Sequence, residues 1–104
     1  MALNDKNKIT GASLEDLNLI TNGTAESIKN ITNPNQVLEV IDKNNNKISN
    51  ITPLIMVINS SKTGWKNIVE SLISVGADPS MIVNYYNKQT TAREIAEKYR
   101  NYII

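Results

Sequence analysis

Histidine, cysteine and phenylalanine are all missing from these 104 residues. Without cysteine there is no disulfide framework and no thiolate to act as nucleophile or ligand. Without histidine there is no Ser-His-Asp or Cys-His arrangement, no His-ligated zinc and no unaided proton shuttle near neutral pH. Aromatics make up only 5% of the chain, so the core has to be built from Ile, Leu, Val and Ala. Charge bias is lacking too: the formal net charge is +1 and the lysines are scattered, which leaves no basic face for nucleic acid and no polybasic segment for a membrane. No apolar run approaches the roughly 20 residues of a membrane span. The opening MALNDKNKITGAS lacks the apolar stretch of a signal peptide. The expected compartment is the cytoplasm, or a host cell entered by a route the sequence does not reveal.

What is present is a globular composition, 40% hydrophobic and 20% charged, of a length that suits one domain. Trp65, Ile68, Val69, Leu72 and Ile73 follow the i, i+3, i+4, i+7, i+8 stripe of an amphipathic helix, and the spacing predicts a helix over 65–75. Gly76 stands where a helix-ending residue takes φ > 0 at no steric cost. Upstream, Thr52-Pro53 is a helix start, because Thr caps free N–H groups and Pro suits the first turn. The following Leu54-Ile55-Met56-Val57-Ile58 is apolar all round and needs cover on several sides, as an inner-layer helix or, alternatively, a buried strand. Thr91 and Glu94 form a capping box for a third helix with Ala92, Ile95, Ala96 and Tyr99 on one face.

In the first third, Ser13 to Leu17 reads as a capped helix start, with Leu14, Leu17 and Ile20 facing inward. Gly23 breaks that helix, and a second short one is expected over 24–32, ended by Asn33-Pro34. A helix from Pro34 to Ile41 is the alternative.

These segments recur as helix pairs, 13–21 with 24–32 and 52–59 with 65–75, each followed by a polar, extended stretch, at 33–50 and 77–90. Recurrence of this length suggests a stacked solenoid. Thr52-Pro53-Leu54, the turn at Gly64-Trp65, Ile68-Val69 with Leu72-Ile73, and Gly76-Ala77-Asp78 together resemble the ankyrin repeat, and Thr91 to Ala96 resembles its form in a last repeat. The specific match covers residues 52–96. The chain departs from the family pattern at Ile55, which replaces a histidine, and at Val57 and Ile58, which replace small alanines; extra residues near Ser60-Ser61-Lys62 lengthen the inter-helix turn. The resemblance implies an all-α solenoid of stacked antiparallel helix pairs joined by hairpin-like loops: a flexible 1–12, a divergent first repeat over 13–50, the best-matching repeat over 51–90 and a capping half-repeat over 91–104.

The resemblance also implies a module that binds a protein partner through its loops and inner helices, with no catalytic residue, cofactor or metal. The alternative is a self-associating subunit that stacks through its solenoid ends; a monomer is the expectation. Elimination agrees, since the residues offer no nucleophile with a base, no ligand cluster and no phosphate-binding glycine loop. Tyr85, Tyr86, Asn87 and Lys88 are the leading contact candidates, because adjacent tyrosines at a loop tip supply rigid amphipathic area; alternatively one of them folds back over the last helix. Asn44, Asn45, Asn46 and Lys47 occupy the equivalent earlier loop, either as contacts or as a solvated turn. Trp65 is either exposed at its turn or packed. Ile103 and Ile104 either fold back as a cap or form a docking edge.

Overall fold

Three side-chain hydroxyls, at positions 13, 52 and 91, each start a helix in the computed structural model, which describes residues 8–11 and 13–104. The elements run β1 (Lys8–Thr10), α1 (Leu14–Asn22), a 3-10 turn (Ser27–Asn30), β2 (Leu38–Ile41), β3 (Lys47–Ile51), α2 (Pro53–Ile58), α3 (Trp65–Ser74), β4 (Val83–Tyr85), β5 (Lys88–Thr90) and α4 (Ala92–Arg100). Ser13 Oγ accepts the Asp16 N–H at 3.1 Å, Thr52 Oγ1 that of Ile55 at 3.4 Å, and Thr91 Oγ1 that of Glu94 at 3.2 Å. Each cap satisfies a first-turn N–H that has no partner inside the helix. Their equal spacing of 39 residues defines a repeat in which a strand leads into a cap and a helix.

The chain is not the all-α solenoid of helix pairs joined by hairpin-like loops that the sequence suggested: among the described residues five strands form two antiparallel sheets beside the helices. The stretches 33–50 and 77–90 are not plain loops; each contains an antiparallel β-hairpin. In the first, Leu38 pairs with Ile51, Glu39 with Asn50 and Val40 with Ser49, with a bulge before Ile41 meets Lys47. Strand β1 adds to the far side of β2, giving the order β1-β2-β3. In the second hairpin, Val83 pairs with Thr90 and Tyr85 with Lys88. Asn-rich tips masked a period of two: Leu38 and Val40 are buried while Glu39 and Ile41 are less so.

Other expectations change with it. The helix expected over 24–32 shrinks to the 3-10 turn, because Thr24 and Ser27 bond each other's backbone N–H through their hydroxyls, at 2.8 and 3.1 Å. The alternative helix over 34–41 does not form; Asn33 organises a turn by accepting the Asn35 N–H, and β2 follows. Of the segment expected to be flexible, 1–12, Lys8–Thr10 is strand, and residues 1–7 and 12 lie outside the described residues. Leu14 faces solvent at 83% exposure, so the inward face of α1 is carried by Ile20 and, in part, Leu17.

All six residues of α2 are buried, as an apolar-all-round helix requires. Helices α1 and α4 flank it and α3 covers it from the other layer, presenting buried Ile68, Val69 and Leu72. Gly76, at φ 104°, ends α3: the Ala77 N–H reaches back to the Leu72 carbonyl at 3.0 Å, a Schellman closure. The loop that follows is held by Asn35, whose side chain donates to the Gly76 carbonyl at 2.8 Å and accepts the Asp78 N–H at 2.6 Å. That one amide ties corresponding loops of successive repeats together. Past α4 the chain folds back: Tyr102 N–H bonds the Ala96 carbonyl at 3.1 Å, and Tyr102 and Ile104 pack on the core, while Ile103 stays exposed. Among the described residues no helix is long and apolar enough to cross a membrane.

Asp16 is the buried charge of the fold, 3% exposed. Its carboxylate accepts the Thr32 N–H at 3.0 Å and the Gln36 amide at 2.8 Å, joining α1 to the chain that enters β2. Burial pushes its pKa up, but the hydrogen bonds it accepts, the Thr32 N–H and the Gln36 side chain foremost among several, outweigh burial and hold it below its ordinary 3.8. A lowered folded pKa means stability that is fully present above pH 3.8 and is lost as pH falls through the folded value. Asp16→Asn should cost about 1–3 kcal/mol near neutrality, since one acceptor becomes a donor facing a donor. It should also flatten the acid limb of the stability curve below pH 4 in denaturant titrations; an unchanged limb would show that other groups carry it.

Candidate functional site

The tip of the second hairpin is built from Tyr85, Tyr86, Asn87 and Lys88. Tyr86 and Asn87 both have positive φ, 48° and 68°, as the primed two-residue turn between twisted strands demands. Asn suits that conformation. A tyrosine at the first position is an outlier, because its Cβ crowds the backbone at a cost of about 1–2 kcal/mol. Its side chain is only partly covered in return: Tyr86 is 41% exposed, with its ring edge-on to Tyr85 at 4.8 Å.

Tyr85 has a different task. It is half-buried, and its phenol oxygen accepts the Asn59 side-chain amide at 2.9 Å, which pins the hairpin to the end of α2. Burial pushes the Tyr85 phenol above its ordinary value, against the Asn59 hydrogen bond, and burial does the same to Tyr86. Both rings thus stay neutral well past physiological pH. Behind them, Ser49 of β3 bridges to β4. Its Oγ accepts the Tyr86 N–H at 3.2 Å, and its own proton lies between the carbonyls of Asn50, at 3.1 Å, and Asn84, at 3.5 Å. Strands β3 and β4 are neighbours without a backbone ladder, so this buried hydroxyl fixes where the tip stands.

Between β4–β5 and α4 lies a small groove of about 50 Å³. Tyr85, Lys88 and Thr90 face it from the hairpin; Glu94, Lys98 and Tyr99 face it from the helix. Tyr99 was expected on the inward face of α4 but is 59% exposed at this groove. Buried Ile95 lines the groove as well. The sequence singled out the hairpin tip and missed the wall opposite. Period 3.6 does place Glu94 and Lys98 on one face of α4, but that they confront the hairpin depends on how the chain turns at Thr91.

The first hairpin's tip is a self-contained turn. Asp42 Oδ1 accepts the Asn44 and Asn46 N–H groups at 2.8 and 3.0 Å, and Asn45 takes φ 65°. Foremost the Asn46 N–H holds the Asp42 carboxyl below its ordinary value; desolvation opposes it, and the Asn44 N–H adds to the lowering. Lys47 pairs with Glu39 at 3.4 Å on the surface. Asn44, Asn45 and Asn46 therefore form a solvated turn, and nothing converges on them. Trp65 does not join the hairpins either. It packs edge-on to Tyr102 at 5.2 Å under the Arg100 guanidinium, 4.2 Å from the ring centroid, so it anchors the returning chain. Lys62, in the lengthened turn, bonds the Gly23 carbonyl. Among the described residues no cluster of His, Cys, Asp or Glu has metal-ligand geometry.

Tyr86→Asn should leave stability within about 0.5 kcal/mol of the parent or raise it, because relief of the backbone strain offsets the lost ring contact. A packed aromatic would instead cost about 3–5 kcal/mol when removed. Thermal unfolding distinguishes the two; a large drop in Tm would make Tyr86 a structural residue.

No protein-family model, curated protein or solved structure matches this chain, so the roles above rest on its own geometry.

Proposed function

We propose that this chain is a non-enzymatic, ankyrin-like binding module that works in the cytoplasm, or in a host cell, as an adaptor or inhibitor of a specific protein. Its contact surface is the tip of β4–β5 together with the groove between that hairpin and α4. The observation that carries the reading is Tyr86: a large ring kept at a strained turn position, where Asn or Gly would be relaxed, and still 41% exposed. Strain that packing does not repay is a mark of a residue retained for an external contact. Tyr99 adds a second exposed ring, on the groove beside the tip, and tyrosines with lysines supply the amphipathic area that interface hot spots use. The ankyrin resemblance is supported by helices that alternate with hairpins and by helix caps at positions 13, 52 and 91, each 39 residues from the next.

The test compares immobilised parent chain with the Tyr86→Asn chain, matched in fold by circular dichroism, against one extract read by mass spectrometry. A protein held by the parent and reduced roughly tenfold or more on the variant is expected for a hot spot. An identical retained set overturns the assignment of this surface.

Exposed Leu14 and Ile103 favour a second reading, self-association through apolar points on α1 and on the segment after α4. Light scattering at micromolar concentration checks it: a dimer or larger species that Leu14→Lys or Ile103→Lys disperses supports it, and a monomer removes it.

A further inference from the structure

The groove beside β4–β5 holds more positive charge than its own residues cancel. Lys88 and Lys98 both line it, and among the described residues neither has a carboxylate within ion-pair distance. Glu94 is the one acid lining the groove, and its carboxylate accepts the Thr90 hydroxyl at 3.2 Å. Glu94 and Lys98 stand one helical turn apart, where such residues commonly pair. Here the carboxylate is turned to Thr90, and the Lys98 ammonium lies 5.4 Å from the Tyr99 ring centroid. Two cations thus border a space walled by Tyr85 and Tyr99 and lined by buried Ile95.

A ligand that satisfies both properties has carboxylates beside apolar groups. Its charge offsets Lys88 and Lys98, and its hydrocarbon lies against the rings and Ile95. Polyphosphate chains and anionic lipid surfaces draw their affinity from many cations acting together. With a net charge of +1 and two lysines here, the chain is suited to a discrete acidic segment instead. We infer that the groove recognises an acidic, extended segment of a partner protein, seating a Glu or Asp side chain between Lys88 and Lys98 and an apolar neighbour against Tyr85 and Tyr99. This deepens the binding-module reading and rests on it.

The probe is a fluorescein-labelled peptide in which Glu alternates with Leu, compared by anisotropy with its Gln-for-Glu counterpart on the intact chain. The Glu peptide should bind roughly tenfold tighter, the effect of two modest charge pairs, and the preference should shrink as salt shortens the screening length. Lys88→Gln with Lys98→Gln, both exposed positions, should keep the circular dichroism spectrum and bind the two peptides equally. Equal affinities on the parent chain overturn the inference, as does a preference that survives the double substitution. Binding to phosphatidylserine vesicles with no preference between the peptides overturns it in favour of a lipid surface. If Tyr86→Asn loses a retained partner that the lysine variant keeps, the acidic-segment inference fails and the binding-module reading stands. If both variants keep every partner, the assignment of this whole surface, tip and groove, fails.

Discussion

Helix α2 has no side open to solvent, and the other elements are arranged to give it cover. Six residues cannot hold a helix in water, since nucleation is costly and short helices are marginal even in good formers. Thr52 and Pro53 lower that cost at one end. The larger contribution is burial of Leu54, Ile55, Met56, Val57 and Ile58, on the order of 10 kcal/mol in transfer terms. That gain exists only once α1, α3 and α4 are in place, so the flanking caps at Ser13 and Thr91 serve α2 as much as their own helices.

Single polar side chains carry the register between repeats. Asn35 joins the turn ahead of β2 to the loop at Gly76 and Asp78. Asp16 joins α1 to the same turn through Thr32 and Gln36. Ser49 joins β3 to β4 where no ladder forms. The Asp16 and Ser49 links are partly buried, and each group bonded there would cost free energy if left unpaired, whereas the Asn35 link is exposed. Asn59 extends the pattern outward by fixing Tyr85. Through that chain of contacts the inner helix determines where Tyr86 is displayed and how wide the groove beside α4 stands open.

Much of the helical part was legible in the sequence. The stripe from Trp65 to Ile73, the Thr52-Pro53 start, the Thr91 cap and the Gly76 stop all appear where local rules place them, because caps, proline and glycine act within one turn of chain. Of the expected Thr91–Glu94 box only the Thr91 half forms, since the Glu94 carboxylate takes the Thr90 hydroxyl. The strands were not. Each is three to five residues long, and what stabilises Leu38 and Val40 in a strand is pairing with residues across the hairpin and with β1. Half of the candidate site was legible for the same reason. The adjacent tyrosines announce a tip, whereas Glu94, Lys98 and Tyr99 read as an ordinary helix surface. Trp65 was ambiguous and Leu14 was expected to face inward but does not, since a side chain's exposure depends on what arrives from elsewhere, in one case Tyr102 and Arg100 and in the other nothing among the described residues.

By itself the sequence determined the chemistry available and the local punctuation: no thiol, no imidazole, an aliphatic core, and helix starts and stops at fixed places. These follow from side-chain identity and from interactions closed within a few residues. Only the tertiary structure decided that the intervening stretches pair as hairpins, that Asp16 is buried and satisfied, that Tyr85 is a post while Tyr86 is displayed, and that two lysines face one groove. Those outcomes depend on contacts between residues far apart in the chain, which hold only when the whole core has formed.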